Sequence, residues 1–214
     1  LLMSPGKITA LKIVVFLACL VPLGELVLRA FGIGGLSLGA NPVEELLHRC
    51  GLWGLNFLLI TLAVSPARQL TGWTWLTRLR RMLGLFAFFY VLLHFLVYLG
   101  LDQRFALRPV LEDVIERPYI TVGFAALLIL TALAATSTRG MMRRLGRRWK
   151  PLHRLVYPAA VLGVWHYYWQ VKLDTLDASL YAAALAALLG YRLWRRLRAR
   201  RAPSQSRARS APAP

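Results

Sequence analysis

Acidic residues are scarce in this sequence: nine Asp and Glu stand against 27 Lys and Arg, for a formal net charge of +18. Cysteine is nearly absent, and Cys19 and Cys50 lie inside apolar stretches with no CxxC spacing. That excludes a disulfide framework and a cysteine zinc site, and it leaves both residues as small core side chains. No GxGxxG turn follows a strand-like segment, so no nucleotide domain is expected within the chain. No internal repeat is evident. No small-x-small cleavage site follows the first apolar run, which contains Pro22 and Glu25 and is read as a membrane span rather than a signal peptide.

Apolar residues are abundant. They make up 57% of the 214 residues, and the mean hydropathy is +0.52. A disordered chain lacks such residues, and an ordinary soluble domain does not combine them with so large a charge. A pI of about 11.3 would suit nucleic acid. The basic residues, however, sit between long apolar runs rather than on one soluble face, so no nucleic-acid partner is expected. The expected class is an integral membrane protein.

Six segments, about 8–28, 46–64, 82–101, 119–136, 152–170 and 176–194, have the length and apolarity to cross a bilayer core, which takes about 20 residues. The expected fold is an all-α six-transmembrane-helix bundle over 1–194, followed by a basic, disordered cytoplasmic tail over 195–214. Asn41-Pro42 leads into the second helix with Glu44 and Glu45 in its first turn, Ser65-Pro66 is expected to end it, and Arg117-Pro118 opens the fourth. With a cytoplasmic N-terminus, the cytoplasmic pieces hold 21 of the 27 Lys and Arg and no acid. The other side holds all nine acids and six basic residues: Arg29, Arg49, Arg104, Arg108, Arg117 and Lys172. The positive-inside rule then places both termini in the cytoplasm.

The four histidines, His48, His94, His153 and His166, all fall in or beside these spans, where an ionisable residue is costly and marks a candidate site. His94 lies about 20 Å along the third helix from its cytoplasmic entrance, and His166 about 24 Å along the fifth. Two imidazoles at equal depth on different helices suit the axial positions of a haem. His153 sits at the entrance of the fifth helix, roughly 140° around an ideal helix from His166, with Pro158 between them as a source of kinking. His153 is a candidate for a second haem, for an alternative ligand, or for an interfacial residue. His48, near the outer end of the second helix, is a weaker metal candidate or a histidine bonded to a carbonyl. Arg80 and Arg81 are donors to a propionate or phosphate. The basic loop 143–150, with Arg148 and Trp149, suits a flavin phosphate or anionic lipid.

The ordered set Arg80-Arg81-Met82-Leu83-Gly84-Leu85, Tyr90, Leu93-His94, Arg117-Pro118-Tyr119, Thr136-Ser137-Thr138, Trp149-Lys150-Pro151-Leu152-His153, Tyr157, His166-Tyr167, Trp169 and Lys172 resembles the MsrQ family, formerly YedZ. This is a family of haem-binding membrane subunits within the ferric-reductase-like transmembrane superfamily. The resemblance runs from the first helix to Trp194. It implies a b-type haem (one, or two), with His94, His153 and His166 as the family histidines, in the inner membrane of a bacterium. It also implies electron delivery to a periplasmic molybdopterin-containing methionine sulfoxide reductase that repairs oxidised proteins. FMN is associated with the family, although nothing in the sequence is diagnostic for it. The chain departs from two-haem ferric reductases by carrying arginine where the third helix would have an inner histidine, which leaves room there for a flavin or a quinone.

This reading makes the chain an electron-transfer subunit rather than a catalytic one. Two axial imidazoles leave no open iron site, and a separate donor is needed, either quinol or a cytoplasmic flavin reductase. The outer loop from Asp102 to Arg117, with Glu112, Asp113 and Glu116, is the expected docking surface for the periplasmic partner. Two further readings stand beside it: a ferric or quinone reductase acting alone, and a non-redox transporter or scaffold subunit whose histidines relay protons.

Overall fold

The computed structural model describes residues 4–171 and 175–201. Nine α-helices follow in order among them: α1 Pro5–Ala30, α2 Pro42–Thr71, α3 Arg80–Val97, α4 Leu107–Glu116, α5 Pro118–Ala135, α6 Arg139–Leu145, α7 Trp149–Leu152, α8 Val156–Gln170 and α9 Leu176–Arg201. No strand occurs among the described residues. Five helices are long and apolar enough to cross a membrane: α1, α2, α3 with its continuation to Asp102, α5 and α9. The segment expected at 152–170 is not one continuous α-helix. α7 passes through a tight 3-10 turn at His153–Leu155 into α8, which has 15 residues.

Helix starts follow local chemistry. The Asn41 side chain accepts from the Glu44 N–H, with Pro42 in the first turn of α2 and Glu44 and Glu45 against its positive end. Thr138 caps α6 in the same way, accepting from the Met141 N–H. Two antiparallel hairpins, α2 with α3 and α5 with α8, form the middle of the bundle. Between them lie Leu55, Leu58, Leu62, Leu83, Leu130, Leu133 and Val164, with Ala87, Ala159 and Ala160 fully enclosed. Small residues allow this closeness. A Cβ on Gly54 would stand 2.6 Å from Val91 Cγ2, so α2 and α3 touch backbone to side chain there. α1 and α9 flank the core and leave Ile13, Val14, Leu17, Val21, Leu180 and Leu193 exposed, as helices facing lipid do.

Two expectations are corrected. α2 does not end at Ser65-Pro66 but runs on to Thr71 with Pro66 inside it. Proline removes one N–H and so frees the carbonyl four residues earlier, that of Leu62. The Arg192 guanidinium of α9 donates to that Leu62 carbonyl, which offsets the loss. The chain from Arg195 to Arg201 is also helix rather than disordered tail, because arginine is a good helix former and suits the negative C-terminal end. Residues 202–214 and Lys172 lie outside the described residues.

A comparable repair holds α1 to the core. After Pro22, the Tyr90 hydroxyl donates to the Cys19 carbonyl at 2.8 Å and accepts from the Leu23 N–H at 3.0 Å. It thus serves the two backbone groups that close the turn around the proline. Tyr90 is fully buried and stacks on Phe57 at 5.4 Å. Tyr90→Phe keeps the stacking but leaves two buried backbone groups short of a partner, a loss of about 1–3 kcal/mol. The expected result is a lower midpoint for thermal unfolding in detergent; an unchanged midpoint would show that α1 is held by packing alone.

Candidate functional site

His94 on α3 and His166 on α8 meet across the bundle, their ring centroids 6.1 Å apart and their planes 76° apart. Each ring is oriented by a neighbouring helix. His94 Nδ1 lies 2.8 Å from the Leu47 carbonyl oxygen of α2, and His166 Nδ1 lies 2.7 Å from the Tyr119 carbonyl oxygen of α5. A carbonyl only accepts, so Nδ1 carries the proton in both rings and Nε2 keeps its lone pair in the neutral form. Second-partner bonds of this kind fix the tautomer of metal-ligating histidines.

The seats for the two rings are notches in the partner helices. A Cβ on Gly51 would stand 3.1 Å from His94 Nδ1, and one on Gly123 would stand 2.8 Å from His166 Nδ1. Each glycine lies one turn beyond the carbonyl that takes the imidazole proton. In both hairpins the histidine and its carbonyl are 47 residues apart. The register that carries His94 onto His166 also carries Gly51 onto Gly123, the enclosed Ala87 onto the enclosed Ala159, and Arg81 onto His153. The bundle thus contains a repeat that inspection of the sequence does not reveal, because few of its positions keep the same residue.

The remaining candidates fall elsewhere. His48 is exposed on α2, next in sequence to the Leu47 whose carbonyl His94 bonds. His153 stacks on Trp149 at 4.0 Å, and its Nε2 is 3.1 Å from Thr136 Oγ1. That hydroxyl already donates to the Ala132 carbonyl at 2.7 Å. It therefore accepts from His153 Nε2, which leaves the opposite tautomer from that of His94 and His166. The Trp149 indole closes this cluster by donating to the Thr136 carbonyl at 3.0 Å. Arg80 donates to Ser65 Oγ, Arg81 reaches Met142 Sδ at 3.9 Å, and Arg148 is exposed. The two adjacent arginines thus diverge, and both lie at the opposite end of the bundle from the ring pair. Sequence reasoning missed Gly51, Gly123, Leu47 and Tyr119, since a backbone carbonyl leaves no trace in residue type and a lone glycine in a helix has many uses.

The donor set fits a porphyrin metal. Among the described residues no group of three His, Cys, Asp or Glu side chains is placed to hold a bare ion. Two imidazoles suit an iron that brings its other four ligands with it. His94 and His166 would hold such a metal between them, and 6.1 Å between ring centroids leaves room for two metal–imidazole bonds of about 2 Å.

At the same end, α4 lies against the bundle through buried Val110 and through Asp113, which accepts from the Tyr98 hydroxyl at 2.7 Å and pairs with Arg117 at 3.0 Å. Asp113 is therefore committed internally, whereas Glu112 and Glu116 are exposed. The helix itself lies where the sequence reading placed a loop.

Comparison with known proteins identifies the family. Residues 50–164, which include both glycine notches and end just short of His166, match the family described as ferric reductase like transmembrane component. A Xanthomonas euvesicatoria protein named protein-methionine-sulfoxide reductase heme-binding subunit MsrQ is 50% identical over 97% of this chain and 95% of its own length. A Rhodospirillum rubrum protein of the same name is 56% identical over 90% of this chain and 93% of its own length. With paired helical hairpins, long apolar helices and near full-length similarity on both sides, the chain is a multi-pass membrane protein and belongs to the MsrQ family of ferric-reductase-like transmembrane components.

Proposed function

We propose that this chain is a membrane b-type cytochrome that passes electrons from quinol or a cytoplasmic flavin reductase to a periplasmic molybdopterin-containing methionine sulfoxide reductase. The observation that carries the reading is the His94–His166 pair, 6.1 Å between centroids, with both Nδ1 atoms spent on carbonyls of other helices. A haem held between His94 and His166 would supply one-electron chemistry. The chain's own residues would keep that chemistry to electron transfer: both imidazoles would be committed as ligands, and the notched helices leave them little freedom to swing aside. The relatives' printed names, which call them heme-binding subunits of a methionine sulfoxide reductase, support the same assignment.

The proposed topology has six crossings. The one added to the five long helices, fifth in chain order, is the helical path from Trp149 through α8, whose 15 residues alone span about 22 Å. Both termini are then cytoplasmic, in the inner membrane of a bacterium, with the ring pair toward the periplasm. In that orientation α4 presents Glu112 and Glu116 outward for the soluble partner, while Asp113 holds α4 in place. His153, with Nε2 bonded to Thr136, is assigned to the cytoplasmic cluster with Trp149 rather than to the haem. The divergent Arg80 and Arg81 remain candidates for a flavin or quinone headgroup, with FMN as the flavin.

His94→Ala and His166→Ala should each abolish the low-spin b-type absorption of the purified protein, whereas His153→Ala should retain it with unchanged haem per chain. A colourless parent protein would instead favour the transporter or scaffold reading. The notches give a graded test: Gly123→Ala, with the closer contact, should lower haem content more than Gly51→Ala, and the reverse order in a pyridine haemochrome assay would contradict the seating described. Glu112→Lys with Glu116→Lys should raise the KM for the soluble reductase several-fold at low ionic strength and leave the spectrum intact; equal KM values would move the docking surface elsewhere.

A further inference from the structure

We propose that the basic end of the bundle holds a specific site for the phosphate of an anionic glycerophospholipid, set between the C-terminal parts of α2 and α9. The site is a pocket of about 330 Å³ lined by Ser65, Pro66, Gln69, Tyr191, Arg192, Arg195, Arg196 and Ala199. Three of these eight residues are arginines, and no acid accompanies them. Every ion pair among the described residues lies at the other end, on Glu25, Glu45, Glu112 or Asp113. No cytoplasmic piece contains an acid, so the charge of this cluster has no counterpart in the chain and calls for an external anion.

Arg192 shows which donors are already used. One terminal nitrogen donates to the Tyr157 hydroxyl at 2.9 Å, and the other to the Leu62 carbonyl. Its Nε is buried and has no hydrogen-bond partner among the described residues. A buried charged donor without an acceptor is costly, so the Arg192 guanidinium brings uncompensated positive charge to the pocket wall, which a phosphate in the pocket offsets. Arg195 and Arg196, both exposed, add two guanidinium forks at the mouth, and the Ser65 hydroxyl and Gln69 amide stand on the facing wall.

The surroundings favour a lipid over a soluble phosphate ester. On the same turns of α9, Leu193, Trp194 and Leu197 are exposed. The Trp194 ring contacts Tyr191 at 5.9 Å and carries the Arg198 guanidinium over its face at 4.2 Å. Exposed Trp and Leu interleaved with arginine mark the headgroup level of a membrane. The pocket therefore opens where lipid phosphates are concentrated. The site is independent of the haem assignment, since it requires only that α2 and α9 lie in a bilayer.

The test uses the full chain with its haem, purified in detergent and examined by native mass spectrometry with added lipids. Phosphatidylglycerol should be retained as a discrete one-to-one adduct, and phosphatidylcholine should be retained at least tenfold less. Arg195→Gln with Arg196→Gln should weaken the adduct about tenfold and leave the haem spectrum unchanged, while Arg198→Gln with Arg200→Gln removes the same charge outside the pocket and should not weaken it. Equal loss in both double variants would reduce the effect to net charge and overturn the site. Preferential retention of inorganic phosphate or flavin mononucleotide over phosphatidylglycerol would overturn the lipid assignment.

Discussion

A polar group in hydrocarbon has to find its partner inside the protein, and this bundle is organised around four side chains that meet that demand by bonding to the backbone of another helix. His94 and His166 each give a proton to a carbonyl of another helix. The Tyr90 hydroxyl attends to the turn around Pro22, and Arg192 attends to the carbonyl that Pro66 leaves free. Each of these bonds crosses between helices, so the same contacts that satisfy these polar groups also fix which helix lies beside which. Packing alone, between apolar surfaces bathed in apolar lipid, is a weak guide to neighbours.

The consequence for the ring pair is that ligand geometry and helix arrangement are one problem. The notches at Gly51 and Gly123 admit the imidazoles to the backbone of α2 and α5, and the enclosed Ala87 and Ala159 let the hairpins close behind them. The two halves solve the problem with the same register. At the end away from the ring pair they differ: one carries Arg81 reaching Met142, and the other carries His153 bonded to Thr136 and stacked on Trp149.

Much of this is legible in the sequence, for identifiable reasons. Apolar run length reveals a membrane helix, and the depth of a histidine can be counted along it, so residue spacing alone pairs His94 with His166. The divide between the basic and acidic sides is equally plain. The proline at position 66 misleads, because a local rule about helix breaking takes no account of an arginine 126 residues later in the chain. α4 is hidden because Pro109 and a high charge content read as loop, although its Val110 and Asp113 are spaced to face the bundle. The carbonyls of Leu47 and Tyr119 are out of reach altogether, since every residue has one.

The anchoring of each imidazole to a helix other than its own makes the site a gauge of helix register. A slide of α2 against α3 by one residue is a shift of about 1.5 Å, enough to break a 2.8 Å bond and release the His94 ring. Relative movement of these helices therefore bears on the orientation of the two rings, with only the imidazole itself between one backbone and the next.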